Sequence, residues 1–161
     1  MSKASERRII LGVDDSPSGR AALQWAVSQA RIREAQLVAV RSWALGLPRH
    51  GGRHHRHIVH PRVVLFFGGA EQHDASAKLV RDAFRTVTGS QPGDLAVTVR
   101  TPEGDPGAAL TSIATRDGDM IVVGRENLPG WRRARHGSVS RYCRCYAGCP
   151  VVVVPTDQES L

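Results

Sequence analysis

The amino-acid sequence predicts an α/β protein built on a five-stranded, mostly parallel, doubly wound sheet with helices on both faces. Two observations carry this. Four short runs rich in β-branched residues lack polar alternation, as strands covered on both faces do. Between them lie stretches whose apolar residues recur at helical spacing, so that strand and helix alternate along the chain. At 161 residues the chain suits one domain, expected to span 1–161, with enough length to bury a substantial core.

The elements follow in order. Ile9 to Val13 reads as the first strand. Ser16 is a suitable helix N-cap and Pro17 a suitable first helical residue, opening a helix from Ser18 to Ala35 whose Ala22, Leu23, Ala26, Val27 and Ala30 share one stripe. Leu37 to Val40 is the second strand. Ala44 to Gly69 has no clear structure and contains an Arg/His-rich tract, Arg49 to Arg62. Its length marks it as an atypical insertion or functional loop at 44–69, with Val63 to Phe67 as a candidate extra strand. Ala75 to Val87 is the next helix, with Leu79, Val80, Ala83, Phe84 and Val87 on its apolar face. Leu95 to Arg100 alternates apolar and polar residues, which places a third strand near an edge. Pro106 to Thr115 is a helix, Met120 to Val123 a strand, Gly137 to Ala147 a helix and Val151 to Val154 the last strand.

Lys and Arg number 22 against 15 Asp and Glu, a formal net charge of +7, so the surface attracts anions. Lys3 and Lys78 are the only lysines. Arginine excess also follows genome composition, so the charge does not choose among nucleotides, nucleic acid and acidic lipid. The run Ile9 to Val13 is too short for the apolar region of a signal peptide. No stretch approaches the roughly 20 apolar residues needed to span a bilayer. Three cysteines cannot all pair within one chain, which fits a reducing compartment. A cytoplasmic protein without membrane partners is expected.

In a doubly wound sheet, ligands bind at the carboxyl ends of strands where the winding reverses. The first strand ends in Val13-Asp14-Asp15-Ser16. Asp14 there suits a ribose hydroxyl or a metal ion, and spacing alone favours a turn aspartate bonding its own backbone. The fourth strand ends in Val123-Gly124, and Gly137-Ser138 opens the last helix. A glycine at a strand end admits close backbone approach to a ligand, and a helix start presents free N–H groups to phosphate. The other reading is a glycine turn followed by a serine cap.

Taken together, these segments resemble the universal stress protein family. Its signature is glycine, two residues, glycine, nine residues, then glycine followed by serine or threonine. Gly124 and Gly137-Ser138 match with the spacing preserved. The opening Ile10-Leu11-Gly12-Val13-Asp14-Asp15-Ser16-Pro17-Ser18 and the closing Cys149-Pro150-Val151-Val152-Val153-Val154 are also similar to the family. The resemblance covers 8–43 and about 94–155. It implies an adenine-nucleotide α-hydrolase-like sheet of strand order 3-2-1-4-5 that binds ATP, with Mg2+, across the ends of the first and fourth strands. Asp14 would contact ribose, and the backbone near Ser42 would meet the base. Val123, Gly124 and Asn127 would line ribose and phosphates, with Gly137, Ser138, Val139 and Ser140 cradling the phosphate tail. A homodimer through the last strand, Val151, Val152, Val153 and Val154, is implied as well.

Two departures stand out. Asn127 replaces the second glycine; asparagine tolerates left-handed backbone but adds a side chain beside the phosphates. Trp131 to His136 carries Arg132, Arg133 and Arg135, which either contact phosphates or form a solvated patch. The tract holding His50, His54, His55, His57 and His60 contains no carboxylate or cysteine and shows no regular element to fix a ligand geometry, so no metal site is expected. It has no aromatics to stack on bases, and nucleic acid is not expected as a partner. Cys145 and Cys149 share a helix face only if the helix persists that far; they form a weak redox pair beside the reading of buried structural thiols.

No nucleophile with an adjacent base is evident, and no catalytic residue is assigned. The expected function is a nucleotide-binding stress or regulatory protein without substantial turnover. One alternative is a family member that has lost nucleotide binding and acts as a dimeric interaction module through its basic loops. The other is a slow ATP hydrolase.

Overall fold

A computed structural model of the chain describes residues 7–43, 69–90, 92–125 and 139–156. The apolar runs form β1 (Arg8–Gly12), β2 (Gln36–Val40), β3 (Val97–Arg100), β4 (Asp119–Gly124) and β5 (Val151–Val154). The helices are α1 (Pro17–Arg33), α2 (Gly69–Thr88), α3 (Pro106–Ile113) and α4 (Val139–Tyr146). All strand pairings are parallel and the order is β3-β2-β1-β4-β5. The alternating run Leu95 to Arg100 therefore does form an edge strand. Its ladder begins before the strand proper, since Leu37 N–H donates to Ala96 O at 2.9 Å.

Side chains leave a strand alternately to either face, which explains why the central runs are apolar throughout. On one face Ile9, Leu11, Leu37 and Ala39 pack against the α1 stripe Ala22, Leu23, Ala26, Val27 and Ala30 and against Val80 and Phe84 of α2. On the other, Ile10, Val38, Val40, Ile121 and Val123 meet Ala109 and Leu110 of α3 and Cys143 of α4. The alanine-rich stripe lets α1 lie close on the sheet.

Two expectations change. α2 begins at Gly69 rather than Ala75, because its first turns are mostly exposed polar residues, including Glu71, His73 and Asp74, that leave no apolar periodicity to read. Val151–Val154, expected to be covered on both faces, is half-buried at all four residues, because β5 is the other edge of the sheet and has only β4 beside it. The candidate strand Val63 to Phe67 and most of 44–69 lie outside the described residues.

Helix ends obey local chemistry. Ser16 caps α1, its Oγ accepting from Gly19 N at 2.9 Å, with Pro17 following. The helix closes on Glu34 in left-handed geometry, φ 51°, as Ala35 N–H donates to Ala30 O. Asp105 caps α3 through Ala108 N at 2.9 Å.

The amino ends of β1 and β4 are fastened by a fork-on-fork ion pair. Arg8 Nε donates to Asp119 Oδ1 at 2.8 Å and Arg8 Nη2 to Asp119 Oδ2 at 2.6 Å. Nη2 also reaches Ile113 O at the end of α3, and Asp119 Oδ2 accepts from Arg116 N. The Asp119 side chain is fully buried. Removing one member of such a pair costs about 3–5 kcal/mol, because the other is left charged away from water.

Burial opposes the charge on Asp119, but the hydrogen bonds from Arg8 and the Arg116 N–H outweigh it and hold the carboxyl below its usual range. A depressed carboxyl contributes stability that is present above the unfolded-chain value of about 4 and is lost as pH falls through the folded value. In urea denaturation across pH 6 to 3, the parent chain should therefore lose stability more steeply below about pH 4 than Asp119→Asn does. Parallel acid limbs would place the sensitivity elsewhere.

Candidate functional site

The order β3-β2-β1-β4-β5 puts the reversal of winding between β1 and β4. A cleft of about 210 Å³ opens there, at the carboxyl ends of the strands. Its walls are Gly12, Val13 and Asp14 after β1, Val40, Arg41 and Ser42 after β2, Val123 and Gly124 from β4, Pro106 and Leu110 from α3, and Val139 from α4. The lining is mostly apolar, with the Asp14 carboxylate as its acidic group. A larger hollow of about 610 Å³ lies at the amino ends of β2 and β3, beside the exposed Arg31–Asp94 ion pair. The carboxyl-end cleft is the better candidate, since only there do strand ends converge on a helix start.

Asp14 adopts the turn geometry expected from spacing, and it also faces the cleft. Its Oδ1 accepts from Ser16 N at 2.9 Å and from the Ser16 hydroxyl at 2.5 Å. Ser16 Oγ in turn lies 3.0 Å from Ser18 Oγ, and Ser18 is the buried member of this turn, 5% exposed. Because Ser16 donates to Asp14, Ser18 donates to Ser16, and the hydroxyls form a directed chain ending on the carboxylate.

Gly124 lines the cleft and also has a neighbour inside the protein. A Cβ at this position would lie 2.6 Å from Ser18 C, 2.7 Å from Ser18 O and 2.8 Å from Gly19 N. The first turn of α1 by itself thus demands glycine here, from inside the protein.

Sequence reasoning missed Arg41 and Trp43. Arg41 Nη2 pairs with Asp15 Oδ2 at 3.2 Å, tying the end of β2 to the turn after β1. Its Nη1 is buried without a hydrogen-bond partner among the described residues. Trp43 continues β2 past its ladder: its ring N–H donates to Thr101 O at 2.8 Å, its backbone N–H to Pro102 O, and its O accepts from Gly104 N. Gly104 takes φ 117°, open to glycine. This strap delivers Asp105 and α3 to the cleft wall. An aromatic residue three positions beyond the apolar run that ends at Val40 was the available signal.

Ser42, Val123, Gly124 and Val139 come together with Asp14 at the cleft, and Ser140 stands half-buried in the first turn of α4. Asn127, Arg132, Arg133, Arg135, Gly137 and Ser138 lie outside the described residues, as does the histidine tract. α4 ends at Tyr146, so Cys145 and Cys149 do not share a helix face. Cys145 is exposed. Burial first, with the neighbouring Cys149 and Asp105 adding to it, pushes the Cys143 thiol up to about 11.

The model of the universal stress protein family matches residues 6–51 and 57–155, extending the likeness through most of the middle segment. A universal stress protein of Mycolicibacterium smegmatis is 27% identical over 165 residues, covering 98% of this chain and 51% of that protein. One of Mycobacterium tuberculosis is 29% identical over 162 residues, covering 95% and 48%. The chain spans about half the length of the curated relatives it matches. Among solved structures, a universal stress protein in complex with cAMP superposes with TM-score 0.62 at 19% identity, covering 93% of this chain and 97% of that one. UspA of Lactobacillus plantarum gives TM-score 0.61 at 24% identity, covering 94% and 99%. These two likenesses show the fold.

Gly124→Ala should lower stability by about 1–3 kcal/mol with no ligand present, since its methyl group meets backbone rather than a side chain that can swing away. Urea denaturation of the unliganded protein measures this. An unchanged midpoint would return Gly124 to a purely ligand-facing role.

Proposed function

This chain belongs to the universal stress protein family, and on that premise we propose that it holds an adenine nucleotide in the cleft at the ends of β1 and β4, without substantial turnover. One observation carries the proposal: at the reversal of winding, an apolar cleft is furnished with a carboxylate, Asp14, whose Oδ2 has no partner among the described residues. Val40, Val123, Leu110 and Pro106 offer the surface a purine needs, and Asp14 the acceptor a ribose hydroxyl needs. The structural relative in complex with cAMP supports a purine nucleotide as the ligand class.

In this proposal the backbone at Ser42 meets the base, and Val123 and Gly124 flank the sugar. Asn127 joins them in lining the sugar and phosphates, Gly137, Ser138, Val139 and Ser140 cradle the phosphate tail, and Arg132, Arg133 and Arg135 add phosphate contacts. Mg2+ would be held chiefly by the phosphates of ATP. The proposal further takes 1–161 as one domain with an insertion at 44–69, in the cytoplasm. Among the described residues no helix is long and apolar enough to cross a membrane.

Calorimetric titration with Mg-ATP should give binding in the parent chain and about tenfold weaker binding in Asp14→Ala, the effect of one charged hydrogen bond. Release of inorganic phosphate should stay flat for both. Sustained release that Asp14→Ala abolishes would move the protein to the hydrolase class, and no binding at millimolar ATP would end the nucleotide proposal.

We also propose pairing of two copies through β5. Pro150 O and Val154 O accept from Ile121 N and Arg125 N. By alternation, Val151 and Val153 turn their N–H and C=O to the free edge. Val153→Pro removes an outward donor while sparing the ladder to β4, so sedimentation velocity should shift from dimer to monomer. A parent chain that is monomeric at micromolar concentration would exclude this interface.

A further inference from the structure

β2 and β3 keep one register beyond their ladder. Val40 stands beside Arg100 and, three residues on, Trp43 bridges to Glu103. Arg41 therefore stands beside Thr101, with Arg41 N–H donating to Arg100 O at 3.0 Å. Side chains alternate along a strand, so Arg41 follows Leu37 and Ala39, and Thr101 follows Val97 and Val99, to the face covered by α1 and α2. Two rows that are apolar up to the strand ends thus each finish in a polar side chain.

Both are left incomplete. Arg41 Nη1 and Thr101 Oγ1 are the two buried side-chain N or O atoms without a hydrogen-bond partner among the described residues, so they do not bond each other. Thr101 is 8% exposed and the Arg41 side chain 22%. Asp15 Oδ2 pairs with Arg41 Nη2 at 3.2 Å, but that carboxylate is mostly exposed and leaves Nη1 unserved. A buried polar group without a partner lowers stability, and a charged one lowers it more. Two of them on one rung call for a shared partner. A guanidinium N–H only donates and a hydroxyl can donate, so one acceptor satisfies both. Phosphate and carboxylate oxygens are the acceptors that guanidinium and hydroxyl groups bind best, and the net charge of +7 draws anions to the chain.

We propose that Arg41 and Thr101 form a second binding site, at the carboxyl ends of β2 and β3 on the α1/α2 face, which takes one small oxyanion. Arg41 also borders the cleft, so the two sites adjoin. They are not the same site. The phosphate end of the cleft lies at the start of α4, which follows β4, and β4 is on the other side of β1 from β2 and β3. The anion site stands whether or not the cleft holds a nucleotide.

The test is thermal unfolding without nucleotide, at fixed ionic strength, of the parent chain, Thr101→Val and Arg41→Met in chloride, inorganic phosphate or acetate. One of the two oxyanions, at about 10 mM, should raise the parent midpoint by about 3 °C over chloride. The anion with the larger shift identifies the ligand as a phosphate or a carboxylate. Both variants should lose most of that shift. Arg41→Met also gives up the pair with Asp15, so Thr101→Val is the decisive variant. In chloride its midpoint should equal or exceed the parent's, because a methyl group replaces a hydroxyl that has no partner in the empty site. A midpoint several degrees below the parent's would show that the hydroxyl is already satisfied, by an ordered water for instance, and would overturn the proposal. A shift of the same size in the parent and Thr101→Val would place the anion elsewhere, the start of α4 included, and overturn it too. So would a parent chain that neither oxyanion shifts.

Discussion

The first turn of α1 is wedged into the point where the sheet reverses its winding, and the site takes its shape from that contact. Two bare α-carbons make it possible. Gly124 admits the Ser18–Gly19 backbone to within contact of β4, and Gly19 admits the Asp14 carboxylate to within contact of the helix. Interiors pack too tightly to absorb an added methyl at such distances. The helix start, the turn after β1 and the end of β4 are consequently one rigid assembly, and the cleft is the space it leaves against α3 and α4.

The two ends of the sheet divide the work. At the amino ends, Arg8 and Asp119 satisfy each other with the Ile113 carbonyl and Arg116 N–H, a closed network with little exposure. At the carboxyl ends, polar groups are left incomplete: Asp14 Oδ2 and Arg41 Nη1 lack partners among the described residues. Closed networks contribute stability, and a polar group left without a partner marks a place to look for a ligand.

Much of this was legible in the sequence. The strands announced themselves because Ile9 to Leu11, Leu37 to Val40 and Ile121 to Val123 are apolar on both faces, which only a sheet covered on both faces needs. Ser16, Pro17 and Asp105-Pro106 marked helix starts through local chemistry that needs no tertiary knowledge. Asp14, Ser42, Val123, Gly124 and Val139 were placed by topology together with family likeness, and they do line one cleft. What stayed hidden depends on distance in space. Nothing local to Gly19 says that a carboxylate rests on it, and nothing local to Gly124 distinguishes a ligand from a helix as its neighbour. Arg41 read as one arginine among many until its pairing with Asp15 gave it a place. β5 read as fully covered because four consecutive valines have the same pattern in a central strand and at an edge.

The seat of α1 also bears on how the protein is made. Ser18 and Gly124 touch although roughly a hundred residues separate them, and loop closure over that span precedes any reward from the contact. A chain emerging from the ribosome can complete the Asp14 turn as soon as α1 forms, since Ser16, Ser18 and Gly19 are its immediate neighbours. The cleft itself has no far wall until β4 has been synthesised and has docked between β1 and β5. The cleft is therefore completed late in biogenesis, with the global fold.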